Sequence, residues 1–262
     1  MRRRSTVIAA AVLLLVVPCP THVLGHSGRT PLGLWGKFPA DVARCQRVIG
    51  EAATFYASQA LTARALCRAR ELVGTPCDLD ATDATVRAAR GHALDQVDAQ
   101  CNDQGSGMLG FLGVIEVQAD LTSSCEQLEA SVAAAVFAPV PALESTAPLT
   151  PTAQRCVLVT AGIAPKLMRF ALRAWAEALD RIAVRNYSPN RKQALVDAAQ
   201  RRITSTATRL SEAIGRECTP AEFLATYHQD ATSFLTNLSA QVDCVVGGVY
   251  AQAAVVCPPA GP

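Results

Sequence analysis

Ten cysteines in a chain of 262 residues, most of them separated by about one helix length, constrain this fold more than any other feature. Cys45 and Cys67 stand 22 residues apart, which on one α-helix is a rise of about 33 Å. Cys77 and Cys101 bracket a second segment of nearly the same rise. Folded as an antiparallel hairpin, the two helices bring Cys67 beside Cys77 at one end and Cys45 level with Cys101 at the other. Spacing alone therefore predicts two rungs that clamp a helical hairpin. Cys156 and Cys218 repeat the outer rung later in the chain, where counterparts of Cys67 and Cys77 are both missing. Losing two together is what a bonded pair does. Cys125, Cys244 and Cys257 remain, and three cannot all pair internally. Cys244–Cys257 needs a chain reversal near Gly247-Gly248, and Cys125–Cys244 would join the two halves; both stay open.

Such a ladder belongs to an oxidising compartment, and the N-terminus reads the same way. Arg2, Arg3 and Arg4 precede an apolar run from Val7 to Val17, Pro18 breaks it, and Val23-Leu24-Gly25 offers small-residue cleavage. This is the layout of a secretory signal over 1–25, which would remove Cys19 and leave nine cysteines. The expected location is periplasmic or secreted. The mature chain would carry 21 basic against 22 acidic side chains, so the basic footprint of a nucleic-acid binder is absent. The segment from Met108 to Val117 is the most apolar of the rest, and it is short and contains Glu116. No transmembrane segment is expected after the signal is removed.

Hydrophobic periodicity is helical throughout, with apolar residues recurring at three and four. Val114, Val117, Leu121, Cys125, Leu128 and Val132 make one stripe. Leu195, Ala199, Ile203, Thr206, Leu210 and Ile214 make a second, and Leu224, Tyr227, Ala231, Leu235, Leu238, Val242 and Val245 a third. Helices are predicted over about 39–74, 81–101, 108–137, 153–186, 189–217 and 220–246, the fourth kinked or divided at Gly162 and Pro165. Ser188-Pro189 and Thr219-Pro220 read as helix starts, with Glu222 completing a capping box. Asp80 or Asp83 is expected to cap the second helix. The Asp78, Asp80 and Asp83 cluster lacks the spacing of a calcium loop.

The fold class is therefore all-α: a disulfide-clamped helical bundle of two three-helix halves from an internal duplication. The expected layout is a signal peptide at 1–25 and an N-terminal extension at 26–38. The first half follows at 39–137, a proline-rich linker at 138–152, the second half at 153–257 and a tail at 258–262. The halves align through Ala43-Arg44-Cys45 with Gln154-Arg155-Cys156, and through the Cys101 and Cys218 helix ends. Their opposite net charges suggest mutual attraction.

Cys45-Gln46 followed by Cys67, Cys77 and Cys101 across two Ala-rich helices resembles a helical repeat of exported bacterial proteins rich in alanine and cysteine. Residues 45–101 carry the resemblance best; in the second half Val157 replaces Gln46. The resemblance implies neither an activity nor a site.

Motifs for chemistry are sparse. Gly105-Ser106-Gly107-Met108-Leu109-Gly110 has the G-x-G-x-x-G pattern, but a dinucleotide site needs a preceding strand and here a helix precedes it. A helix–helix turn is the better reading. His92 has Asp95 at i+3 and His228 has Asp230 two residues on; either pair could orient a general base, yet no nucleophile can be placed beside them. His26 would become the mature N-terminus, where weak copper chelation is generic. No catalytic, cofactor-binding or metal residue is assigned, and no cofactor is expected. The function expected is a non-catalytic binding or structural-interaction protein whose partner is a protein or a small apolar ligand. The alternatives are an enzyme using His92 or His228, and an amphipathic-helix binder of lipid or membrane surface. A cavity lined by Phe170, Trp175 and Tyr227 would favour ligand binding, and a cleft joining the histidines would favour catalysis.

Overall fold

A computed structural model of the chain describes residues 37–140 and 149–250. The signal, His26, Cys257 and the tail lie outside them, as do most of the N-terminal extension and the linker. The described residues form nine helices and no strand. They are α1 (Ala40–Leu72), α2 (Leu79–Gln100), α3 (Asp103–Met108), α4 (Val114–Val136), α5 (Pro151–Val184), α6 (Pro189–Glu217), α7 (Pro220–Tyr227), α8 (Ala231–Ala240) and α9 (Val242–Val249).

Disulfides hold the two long hairpins. Cys45–Cys101 and Cys67–Cys77 close the two ends of the α1–α2 hairpin, with Cα atoms 4.9 and 5.1 Å apart. Cys156–Cys218 closes α5 on α6 at 5.2 Å. Cys125 is a free, buried thiol, and Cys244 is itself disulfide-bonded, so a Cys125–Cys244 bridge does not form. Cys257, the partner in the other alternative, lies outside the described residues; the reversal that this pairing requires does not fall at Gly247 and Gly248, because α9 runs through both glycines. They serve close packing instead: a Cβ on Gly248 would lie 2.0 Å from Ser124 Oγ of α4.

One predicted helix is broken in three and one short helix is added, which turns six into nine. Helix α3 forms where a turn was predicted, and the third predicted helix begins as α4 at Val114 rather than at 108; between them Gly110 takes φ 95°, a conformation that favours glycine. Glu116 accepts a hydrogen bond from the Leu112 N–H, and Asp103 accepts one from Val114 N–H at 3.0 Å. This firm turn leaves Leu112 and Ile115 exposed. The sixth gives α7, α8 and α9. His228 ends α7 in the left-handed region at φ 57°, and Asp230 caps α8 by accepting from Ser233 N–H at 2.9 Å. The break shifts the apolar phase, so Phe223 is buried in α7 while Leu224 of the predicted stripe is exposed. The first stripe lines the core as expected; in the second, Ala207 is buried rather than Thr206.

Starts follow the capping residues. Thr219 and Glu222 form the predicted capping box, worth about 1 kcal/mol for the hydroxyl alone. Asp78, not Asp80 or Asp83, caps α2 by accepting from Ala81 N–H at 2.9 Å. Asp83 lies far enough into α2 to reach α1. Thr150 caps α5 with Pro151 in its first turn, and the helix continues undivided through Pro165.

Helix α1 is the centre of the bundle and touches α2, α3, α4, α5 and α9. Its buried face is mostly small, including Ala43, Ala52, Ala53, Ala57 and Ala60, which lets several neighbours approach at once. Three hydrogen bonds join the two halves. Gln46 Nε2 donates to Val249 O at 3.0 Å, Tyr227 OH to Val136 O at 2.8 Å, and Gln154 Nε2 to Leu72 O. The ion pairs described stay within one half or the other. No helix among the described residues is long and apolar enough to cross a membrane.

Candidate functional site

The second half of α1 carries α4 on one side and α5 on the other, and those two helices meet only narrowly. Between them lies an open cleft of about 920 Å³. Leu61, Val132, Val136, Ala161 and Ala164 line it and are each less than 5% exposed. Its existence traces to size. Where α5 faces α1 and α4 it presents Ala161, Ala164 and Pro165, side chains too short to fill the gap that larger residues would close. Pro165 also has no N–H, so the Ala161 carbonyl lacks its helical donor at the cleft wall. A smaller depression of about 450 Å³ shares Ala65, Ala161 and Pro165 with it and adds Leu66, Leu158 and Lys166.

Charged groups line the same cleft. Arg64 pairs with Glu129 through Nε at 2.9 Å and with Asp83 through Nη1 at 2.5 Å. Although partial burial opposes it, these carboxylates raise the Arg64 pKa further. Arg68 lies one turn on, its guanidinium carbon 5.8 Å from the centre of the Phe137 ring. Glu71 places a carboxylate oxygen within 4.8 Å of both sulfurs of Cys67 and Cys77. That trio has the residue types of a metal site, but the two sulfurs are joined in a disulfide and offer no thiolate.

The residues singled out for chemistry fall elsewhere. His92 is exposed on α2, its ring edge-on to Phe55 of α1 at 5.0 Å. His228 is exposed at the end of α7. Asp230 is engaged with Ser233 through both carboxylate oxygens, which with the capping interaction holds its carboxyl below the usual range. Among the described residues no hydrogen bond or ion pair joins His92 to Asp95 or His228 to Asp230, and neither histidine lines the cleft. Nor do Phe170, Trp175 and Tyr227, whose lining of a cavity would have favoured ligand binding. Trp175 is buried in the core, Phe170 lies under Arg202 at 5.7 Å, and Tyr227 stacks on Phe223 with ring centres 4.6 Å apart. The glycine motif forms α3 and the turn after it, preceded by α2 rather than a strand.

A separate group of ionisable side chains gathers where α9 ends against α1 and α5. Tyr250 OH stands 3.5 Å from Asp180 Oδ1. Burial pushes the Asp180 carboxyl up to about 6, with Glu51 adding to the rise and Arg47 opposing it. Asp243 on α9 is raised to about 6 by burial alone. Tyr250 is 2% exposed, Asp180 and Asp243 are half-buried, and Arg47 and Glu51 are exposed.

Sequence reasoning missed the cleft. The signal was present in two parts: a proline inside α5 flanked by alanines, and Arg64, Arg68 and Glu71 interrupting the apolar positions of α1. Among the described residues the architecture is an all-α, disulfide-clamped bundle with an apolar cleft between α1, α4 and α5. In comparisons with known proteins, no family model, curated sequence or solved structure matches the chain.

Proposed function

We propose that this chain is an exported, non-catalytic binding protein whose cleft between α1, α4 and α5 holds a small apolar ligand. The observation that carries the reading is the cleft itself: about 920 Å³, floored by buried aliphatic side chains and open to solvent. Ligand pockets typically span about 300–1,000 Å³, are mostly apolar, and carry a few placed polar groups. An apolar surface of this depth is costly to leave wet, and a ligand that covers it gains what water loses. Export is supported by the signal-like N-terminus and by the disulfides, which belong to an oxidising compartment. The periplasm and the exterior both satisfy that condition.

The test uses the mature, oxidised chain after solvent extraction, titrated with the neutral fluorophore N-phenyl-1-naphthylamine. Saturable binding of one dye per chain, displaced by an aliphatic alcohol, is expected. A linear, non-saturating response would overturn the reading.

A further inference from the structure

We infer that the ligand is a single-chain amphiphile with a carboxylate head, recognised by Arg68; this rests on the apolar-ligand reading above. The charges around the cleft are unequally partnered. Arg64 and Glu129 neutralise each other, with Asp83 as a second partner of Arg64. Glu71 is set beside the Cys67–Cys77 disulfide. Arg68 has no carboxylate within ion-pair reach among the described residues, and its guanidinium is seated over the Phe137 ring. Ring and guanidinium together hold a planar fork of N–H donors at the edge of an apolar trough. That fork fits a carboxylate with two parallel hydrogen bonds.

The charge balance decides between heads. A phosphate monoester carries about −1.5 to −2 at neutral pH. Among the described residues of the lining, Arg68 is the cation without an ion-pair partner, and the Glu71 and Glu129 carboxylates share the lining. A monoanion matches Arg68; a dianion is repelled. A cationic head finds Glu71 but meets Arg68 one turn away. The apolar chain of the ligand then lies along Val132, Val136 and the short side chains of α5.

Dodecanoate and 1-dodecanol, both below their aggregation thresholds, are titrated into wild type, Arg68→Gln and Arg68→Lys by competition with N-phenyl-1-naphthylamine. Wild type is expected to bind the acid about tenfold or more tighter than the alcohol, the equivalent of a charge-assisted hydrogen bond. Arg68→Gln should erase that preference while leaving alcohol affinity within about twofold, and Arg68→Lys should retain part of it. Arg68 is exposed, so the variants should fold, which circular dichroism checks. Equal affinity of wild type for acid and alcohol overturns the carboxylate head and leaves the apolar cleft standing. A preference that survives Arg68→Gln overturns the role of Arg68. Failure of both ligands to bind wild type overturns the cleft reading and this inference together.

Discussion

Removing one rung of the α1–α2 hairpin should cost more than removing the other, and the order follows from chain length. Cys45–Cys101 closes a sequence separation of 56 residues and Cys67–Cys77 one of 10. In the chain-entropy account these loops correspond to about 4.2 and 2.7 kcal/mol of lost freedom in the unfolded chain. Packing leaves that order to loop length, because each rung has one buried cysteine (Cys45 at 1% exposure, Cys67 at 5%) and one half-buried cysteine (Cys101, Cys77). The double variants Cys45→Ala/Cys101→Ala and Cys67→Ala/Cys77→Ala, kept otherwise oxidised, are compared by thermal and urea unfolding followed at 222 nm. For a chain of this size the first is expected to lose about 8–16 °C, and the second clearly less. A first variant that unfolds at the wild-type midpoint, or an inverted order, would refute the reasoning.

Two further outcomes can be checked independently. Cys125 is buried, and burial pushes its thiol well above the usual range; iodoacetamide at pH 8 should leave it unmodified in the native protein and label it promptly in denaturant. Labelling at equal rates in both states would contradict the buried placement. Asp180 and Asp243 are raised to about 6 in the fold, against about 3.9 unfolded. The native state therefore binds their protons more tightly, and their contribution is complete below about pH 4 and lost as pH rises through 6. Asp180→Asn and Asp243→Asn should flatten that slope and raise the urea midpoint at pH 7, and an unchanged slope between pH 4 and 7 would count against the buried carboxyls.

How far the sequence reaches can be seen residue by residue. The three bonded pairs were legible because helix rise is a fixed length, and cysteines at both ends of two helices leave little choice of partner. The Thr219–Glu222 capping box was legible because it is a local signature. The break at His228 was not: a non-glycine residue at positive φ leaves no compositional mark, and the apolar period on either side reads as one stripe. Asp78 was passed over as the α2 cap because three nearby aspartates compete and only the tertiary partner, Arg64, removes Asp83. The cleft was hidden for a related reason. A cavity is defined by what three helices fail to fill, and the short side chains at 161, 164 and 165 look like ordinary helix until α1 and α4 stand beside them.

The central claim is that the space between α1, α4 and α5 holds a small apolar ligand. Ala133 lines that space from α4 and is only half-buried, so Ala133→Trp fills it without displacing the core. The decisive measurement is the dissociation constant of N-phenyl-1-naphthylamine for wild type and Ala133→Trp, beside their unfolding midpoints. Ala133→Trp should bind the dye about tenfold or more weakly, corresponding to about 1.4 kcal/mol, with the midpoint unchanged. Equal affinity in the two proteins would place the dye elsewhere and contradict the cleft as the binding site.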